Sequence, residues 1–103
     1  MSVAYTRNRN KIERALVAQM KSKKIYYEPY IDMVNQYMNL WDASQMLDED
    51  IKSRGVQVED NRGNLKKNDS VAQLVNVVKQ MTLILDKLGL QATPVKEEAG
   101  ADV

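Results

Sequence analysis

The sequence predicts a mainly α-helical chain in which a small β-hairpin separates the second of three helices from the third, and in which the helices are elongated and self-associate. Three observations carry this reading. Apolar residues recur at spacings of three and four over two long stretches. Helix punctuation falls at sensible distances, with Pro29 opening a helix, Gly55 and Gly89 closing two, and Asn68-Asp69-Ser70 starting the last. Between these stretches, Asp60-Asn61-Arg62-Gly63-Asn64 has the composition of a turn.

The first helix is expected from Asn10, because Asn10 followed by Glu13 has the spacing of a capping box. It carries Ile12, Ala15, Leu16 and Gln19 on one face, and the lysines around Lys21–Lys24 suit the negative pole at its end. Pro29 disfavours helical geometry at Glu28, so a break is expected around residues 25–28. A second helix then covers residues 29–54, a rod of about 39 Å at 1.5 Å per residue. Gly55 suits the left-handed position that ends it. Val56-Gln57-Val58 alternates and Leu65-Lys66-Lys67 returns beside it as a hairpin. The third helix runs to Leu88 and stops at Gly89, with Pro94 beyond. The organisation is thus a basic arm and first helix over 1–25, a helix–hairpin–helix core over 26–94, and a small, charged tail over 95–103 that is expected to be disordered. At 103 residues, this is one domain by length.

Self-association follows from the width of the apolar faces. On the second helix Tyr30, Val34, Tyr37 and Trp41, then Met33, Tyr37 and Leu40, then Ile31, Val34, Met38 and Trp41 form three stripes. Together they cover about 200° of the rod, twice what one-sided packing needs. The third helix repeats the pattern through Val71, Leu74, Val75, Val77, Val78, Met81, Ile84, Leu85 and Leu88. Neighbouring copies are the expected cover, with Tyr30, Val34, Tyr37, Met38, Trp41, Leu74, Val78, Met81 and Leu85 as interface candidates. The competing arrangement is an intramolecular core in which the first helix does the covering.

Charge is unevenly placed despite a net +1. Arg7, Arg9, Lys11, Arg14, Lys21, Lys23 and Lys24 face Glu13 alone in residues 1–24, whereas residues 25–60 carry eight acids against Lys52 and Arg54. These seven cations are the candidate DNA-binding residues, since a basic segment on an acidic body suits an anionic partner. Tyr26-Tyr27 beside them have two readings, stacking on bases or packing at the helix start, and packing is the commoner outcome.

Enzyme chemistry finds little footing. The chain has no Cys and no His, which removes thiolate nucleophiles, imidazole bases and the common zinc sets. Adjacent carboxylates in Asp48-Glu49-Asp50 point about 100° apart on a helix, so they read as a solvated face rather than a metal site. The turn at 60–64 lacks the carboxylate repeat of a calcium loop, and four scattered glycines form no phosphate-cradling loop. No metal, cofactor or catalytic residue is expected. No apolar run approaches the ~18 residues of a membrane span, and no signal segment follows the basic start.

Residues 26–94 resemble the short phage terminase small subunits. The likeness rests on Tyr27-Glu28-Pro29-Tyr30 opening a long helix, Gly55-Val56-Gln57-Val58 with Gly63 in a hairpin, and Asn68 opening a last helix that ends Leu88-Gly89-Leu90 near Pro94. The resemblance implies a ring-forming, catalytically silent protein in the cytoplasm of an infected bacterial host. It would recognise double-stranded viral DNA and regulate a separate large subunit holding the ATPase and nuclease. The alternative from the residues alone is a helical oligomeric adaptor that binds another protein and not DNA.

Overall fold

The structure, a computed structural model, describes residues 3–90. It contains three helices, α1 (Val3–Ser22), α2 (Tyr30–Arg54) and α3 (Asp69–Leu88), with strands β1 (Gln57–Glu59) and β2 (Leu65–Lys67) between the last two. The expected fold class is therefore observed at the level of the chain. Residues 95–103, expected to be disordered, lie outside the described residues, as do Gln91–Pro94.

The start of α1 differs from the expectation by seven residues. Glu13 does not reach back over Asn10; its carboxylate lies 3.6 Å from Arg9, one turn earlier. The residues upstream include arginine and alanine, good helix formers, so the helix continues to Val3. Its other end is a two-bond C-terminal motif. The Ile25 amide donates to the Met20 carbonyl (2.9 Å) and the Lys24 amide to Lys21 (3.1 Å), with Lys24 in the left-handed region at φ 63°. A Cβ there is unfavourable. Lys24→Gly should stabilise the fold by about 0.5–1 kcal/mol, net of the extra freedom glycine has when unfolded, read as a higher urea midpoint at unchanged slope.

The Glu28–Pro29 peptide is cis, and α2 begins one residue after Pro29. The helix ends at Gly55, whose amide bonds the Ile51 carbonyl (2.7 Å) at φ 89°, a conformation that glycine adopts without steric cost. The hairpin pairs Gln57 with Lys67, Val58 with Lys66 and Glu59 with Leu65, so its first strand sits one residue later than expected. Its turn is held by Asp60, whose backbone amide bonds the Asn64 carbonyl (2.8 Å) while its carboxylate accepts the Arg62 and Asn64 amides at 2.8 and 2.9 Å. These amides, that of Asn64 first, hold the Asp60 carboxyl below its ordinary range. Of the three candidate caps for α3, Asn68 takes the position, accepting the Ser70 amide at 3.0 Å.

The described residues divide into two compact units, residues 3–38 with 82–90, and residues 39–81. Helices α2 and α3 each contribute to both. In the first unit the core consists of Leu16 and Met20 from α1, Val34, Tyr37 and Met38 from α2, and Leu85, Leu88 and Leu90. Burial pushes the Tyr37 hydroxyl pKa up. In the second unit Trp41 is buried, and so are the polar residues Ser44, Asn68 and Ser70.

Candidate nucleic-acid interface

The amphipathic character of α1 sets the site. Leu16 and Met20 are fully buried, and Ile12, Ala15 and Gln19 beside them are half-buried. At about 100° per residue, Arg7, Lys11, Arg14 and Lys21 fall within an arc of about 80° on the opposite side. All four are exposed, and no acidic residue of the helix shares that arc. Over the 14 positions from Arg7 to Lys21 the stripe is about 21 Å long. Like charges one to two turns apart repel each other, and a polyanion laid along them removes that repulsion.

The other expected cations have different surroundings. Arg9 points to the far side of α1, half-buried and ion-paired with Glu13. Lys23 lies past the helix end, with its ammonium 3.8 Å from where a Cβ on Gly89 would stand. That places it at the carbonyl pole of α3, where a cation is favoured. Lys24 is exposed on the left-handed turn. Lys21 connects the stripe to the loop that follows, because its ammonium sits 5.0 Å from the centre of the Tyr26 ring.

Beside the stripe, an open depression of about 460 Å³ is lined by Asn10, Glu13, Arg14, Val17, Ala18 and Lys21. It holds one carboxylate and two cations, so it offers charge for an anion but no pair of carboxylates for acid–base work. Among the described residues no group of three His, Cys, Asp or Glu side chains converges on a possible metal position, and no helix is long and apolar enough to cross a membrane.

One polar cluster escaped the sequence reading. Asp50, taken as part of a solvated acidic face, accepts two hydrogen bonds from Arg54 (2.7 and 3.0 Å), one from the Ser70 hydroxyl (2.6 Å) and one from the Asn68 amide (3.1 Å). Asn68 also donates to the Gly55 carbonyl at 2.9 Å and accepts from Arg54 at 3.2 Å. Arg54 first, then Ser70 and Asn68, holds the Asp50 carboxyl far below the usual carboxylate range. The Asp50–Arg54 spacing of four was a visible signal. Its closure onto the start of α3 was not, since it joins residues about twenty apart.

The interface candidates also separate by burial. Val34, Tyr37, Met38, Trp41 and Leu85 are buried within the single chain, Tyr30, Leu74 and Met81 are half-buried, and Val78 is 48% exposed. Residues not singled out as candidates, Val56, Leu65 and Val75, join Val78 as exposed apolar groups in the second unit.

With this geometry in hand, comparison with protein families matches residues 11–99 to the phage terminase small subunit. The chain belongs to that family. The match takes in α1 from Lys11 onward, the whole of α2, the hairpin and α3, and five of the seven candidate cations, Lys11 to Lys24, and leaves Arg7 and Arg9 ahead of it. No curated protein and no solved structure matches the chain. Membership places this small subunit in phage genome packaging, in an infected host cell.

Proposed function

We propose that this small subunit assembles into a homo-oligomeric ring, recognises double-stranded viral DNA through the exposed face of α1, and regulates the large, ATPase- and nuclease-bearing subunit without catalysis of its own. The observation that carries the DNA reading is the stripe Arg7, Lys11, Arg14 and Lys21, four exposed cations on the side of α1 opposite its buried residues. Such a surface fits the phosphate backbone, which supplies the sequence-independent part of DNA affinity. Repetition of one stripe around an assembly converts modest attraction per subunit into avidity. Titration of a labelled duplex at two salt concentrations tests it, and affinity should fall steeply as salt rises. Affinity that is absent at low salt, with an acidic protein surface bound instead, would leave the adaptor reading in its place.

Support for assembly comes from the second unit. Val75 and Val78 are 57% and 48% exposed and lie about 60° apart on α3, with half-buried Val71 between them. Exposed Val56 and Leu65 add to the apolar surface of the same unit. Because Val75 and Val78 are not core residues, Val75→Glu with Val78→Glu should change chain stability by no more than about 0.5 kcal/mol per site. Light scattering at micromolar concentration should show a mass above a dimer for the native chain and a smaller one for this variant, at equal helix content. An unchanged mass would put the assembly contacts elsewhere.

A further inference from the structure

The loop between α1 and α2 leaves two aromatic rings in solvent. Tyr26 is 43% and Tyr27 53% exposed, although the chain has no Phe and one Trp to build its core. Tyr27 meets Tyr30, the first residue of α2, edge-on at 5.3 Å between ring centres, whereas the Tyr26 ring faces the Lys21 ammonium. The exposure is not that of a loose loop. Lys24 is fixed in the left-handed region, the Ile25 amide bonds the Met20 carbonyl, and the Tyr27 carbonyl accepts the Ile31 amide at 3.1 Å. The Tyr27 amide donates to the Ile25 carbonyl at 2.9 Å, so Tyr26 stands at the apex of a three-residue turn.

Around this apex the charges are mainly cationic, three lysines against the exposed Glu28. Lys21 holds its ammonium over the Tyr26 ring at 5.0 Å, and Lys23 and Lys24 are exposed next to it in sequence. An ordered, exposed ring beside phosphate-binding cations suits an unpaired nucleobase: the base stacks on the π-face while the lysines meet its phosphates. Bases inside a duplex are already stacked on each other, so the ring discriminates for an overhang, a gap or a frayed end.

We propose that Tyr26 is a stacking platform for an unpaired DNA base at the end of the α1 cationic stripe. This rests on the DNA-recognition reading above and adds to it the kind of DNA preferred, a duplex adjoining single-stranded nucleotides. Lys21 is a positioning residue that belongs to both parts of the surface.

The test compares two fluorescently labelled probes at one low salt concentration, a blunt duplex and the same duplex carrying a short overhang of unpaired thymidines, with the full chain. The overhang probe should bind about fivefold tighter or more, the low end of what one base–aromatic stack contributes. Tyr26→Leu should abolish that difference and leave blunt-duplex affinity unchanged, while Tyr26→Phe should keep it; circular dichroism checks that both variants retain their helices. Equal binding of the two probes by the native chain, or a preference that survives Tyr26→Leu, would overturn the platform and leave duplex recognition intact. A lower mass of Tyr26→Leu in light scattering, with the overhang preference unaltered, would instead assign the ring to contact with a second copy. Failure to bind either probe would remove the DNA reading and the platform with it.

Discussion

Replacing Asn68 by Ala should destabilise the fold by about 2–3 kcal/mol, measured as a lower urea midpoint. Asn68 is 1% exposed, and its side chain serves four partners. Its oxygen accepts the Ser70 amide and an Arg54 guanidinium N–H, and its nitrogen donates to the Gly55 carbonyl and to Asp50. The Ala variant loses the cap of α3 and leaves neighbouring polar groups unmatched, which is why the expected cost exceeds that of an exposed cap. Asn68→Asp separates the two contributions. It keeps a cap oxygen but removes the N–H donor and sets a second carboxylate against Asp50, so it should not restore stability. An Asp variant as stable as the native chain would show that capping alone accounts for Asn68.

The same cluster gives stability a dependence on acid. Asp50 has a lowered pKa in the folded chain, principally through Arg54. Its stabilisation is therefore present in full above the unfolded carboxyl value of about 4 and is lost progressively as pH falls below it, towards the folded value. Asp50→Asn should be less stable at neutral pH, and its stability should decline less than that of the native chain as pH falls below about 4.

Most of the secondary structure was legible because its signals are local. Pro29, Gly55, Asn68 and Gly89 mark helix ends through their own backbone chemistry, and the Asp60–Asn64 turn is closed by hydrogen bonds within the turn itself. The start of α1 was misplaced because two partners compete for one carboxylate, and Glu13 pairs with Arg9 rather than capping Asn10. Apolar periodicity located the buried residues Val34, Met38 and Leu85, but it does not say whether the cover comes from the same chain. Within the first unit α1 supplies Leu16 and Met20 to that core, so the surface left for other copies is sought instead at Val75 and Val78. For the candidate site, residue counting put seven cations together, whereas helical geometry sorts them. Four share a face, Arg9 turns away to Glu13, and Lys23 sits by the end of α3.

That sorting yields the largest expected effect on binding. Changing Arg7, Lys11, Arg14 and Lys21 together to Ala should remove up to four phosphate contacts per engaged subunit, at about 0.9 of logarithmic salt slope each. With all four engaged, affinity of the native chain falls about a hundredfold per subunit between 50 and 200 mM salt, and the variant should lose that steepness. Repetition in a ring multiplies the loss for as many subunits as reach one duplex. The substitutions keep good helix formers on an exposed face, so circular dichroism and oligomer mass should hold while affinity drops for all sequences alike. Arg9→Ala is the control within the same helix. Its side chain is half-buried against Glu13, and it should leave the salt slope unchanged. Equal losses from Arg9→Ala and from any one stripe residue would show that net charge, rather than the face it occupies, governs binding. An unaltered slope in the fourfold variant would move the phosphate contacts off α1, to the exposed Arg62, Lys66 and Lys67 of the hairpin.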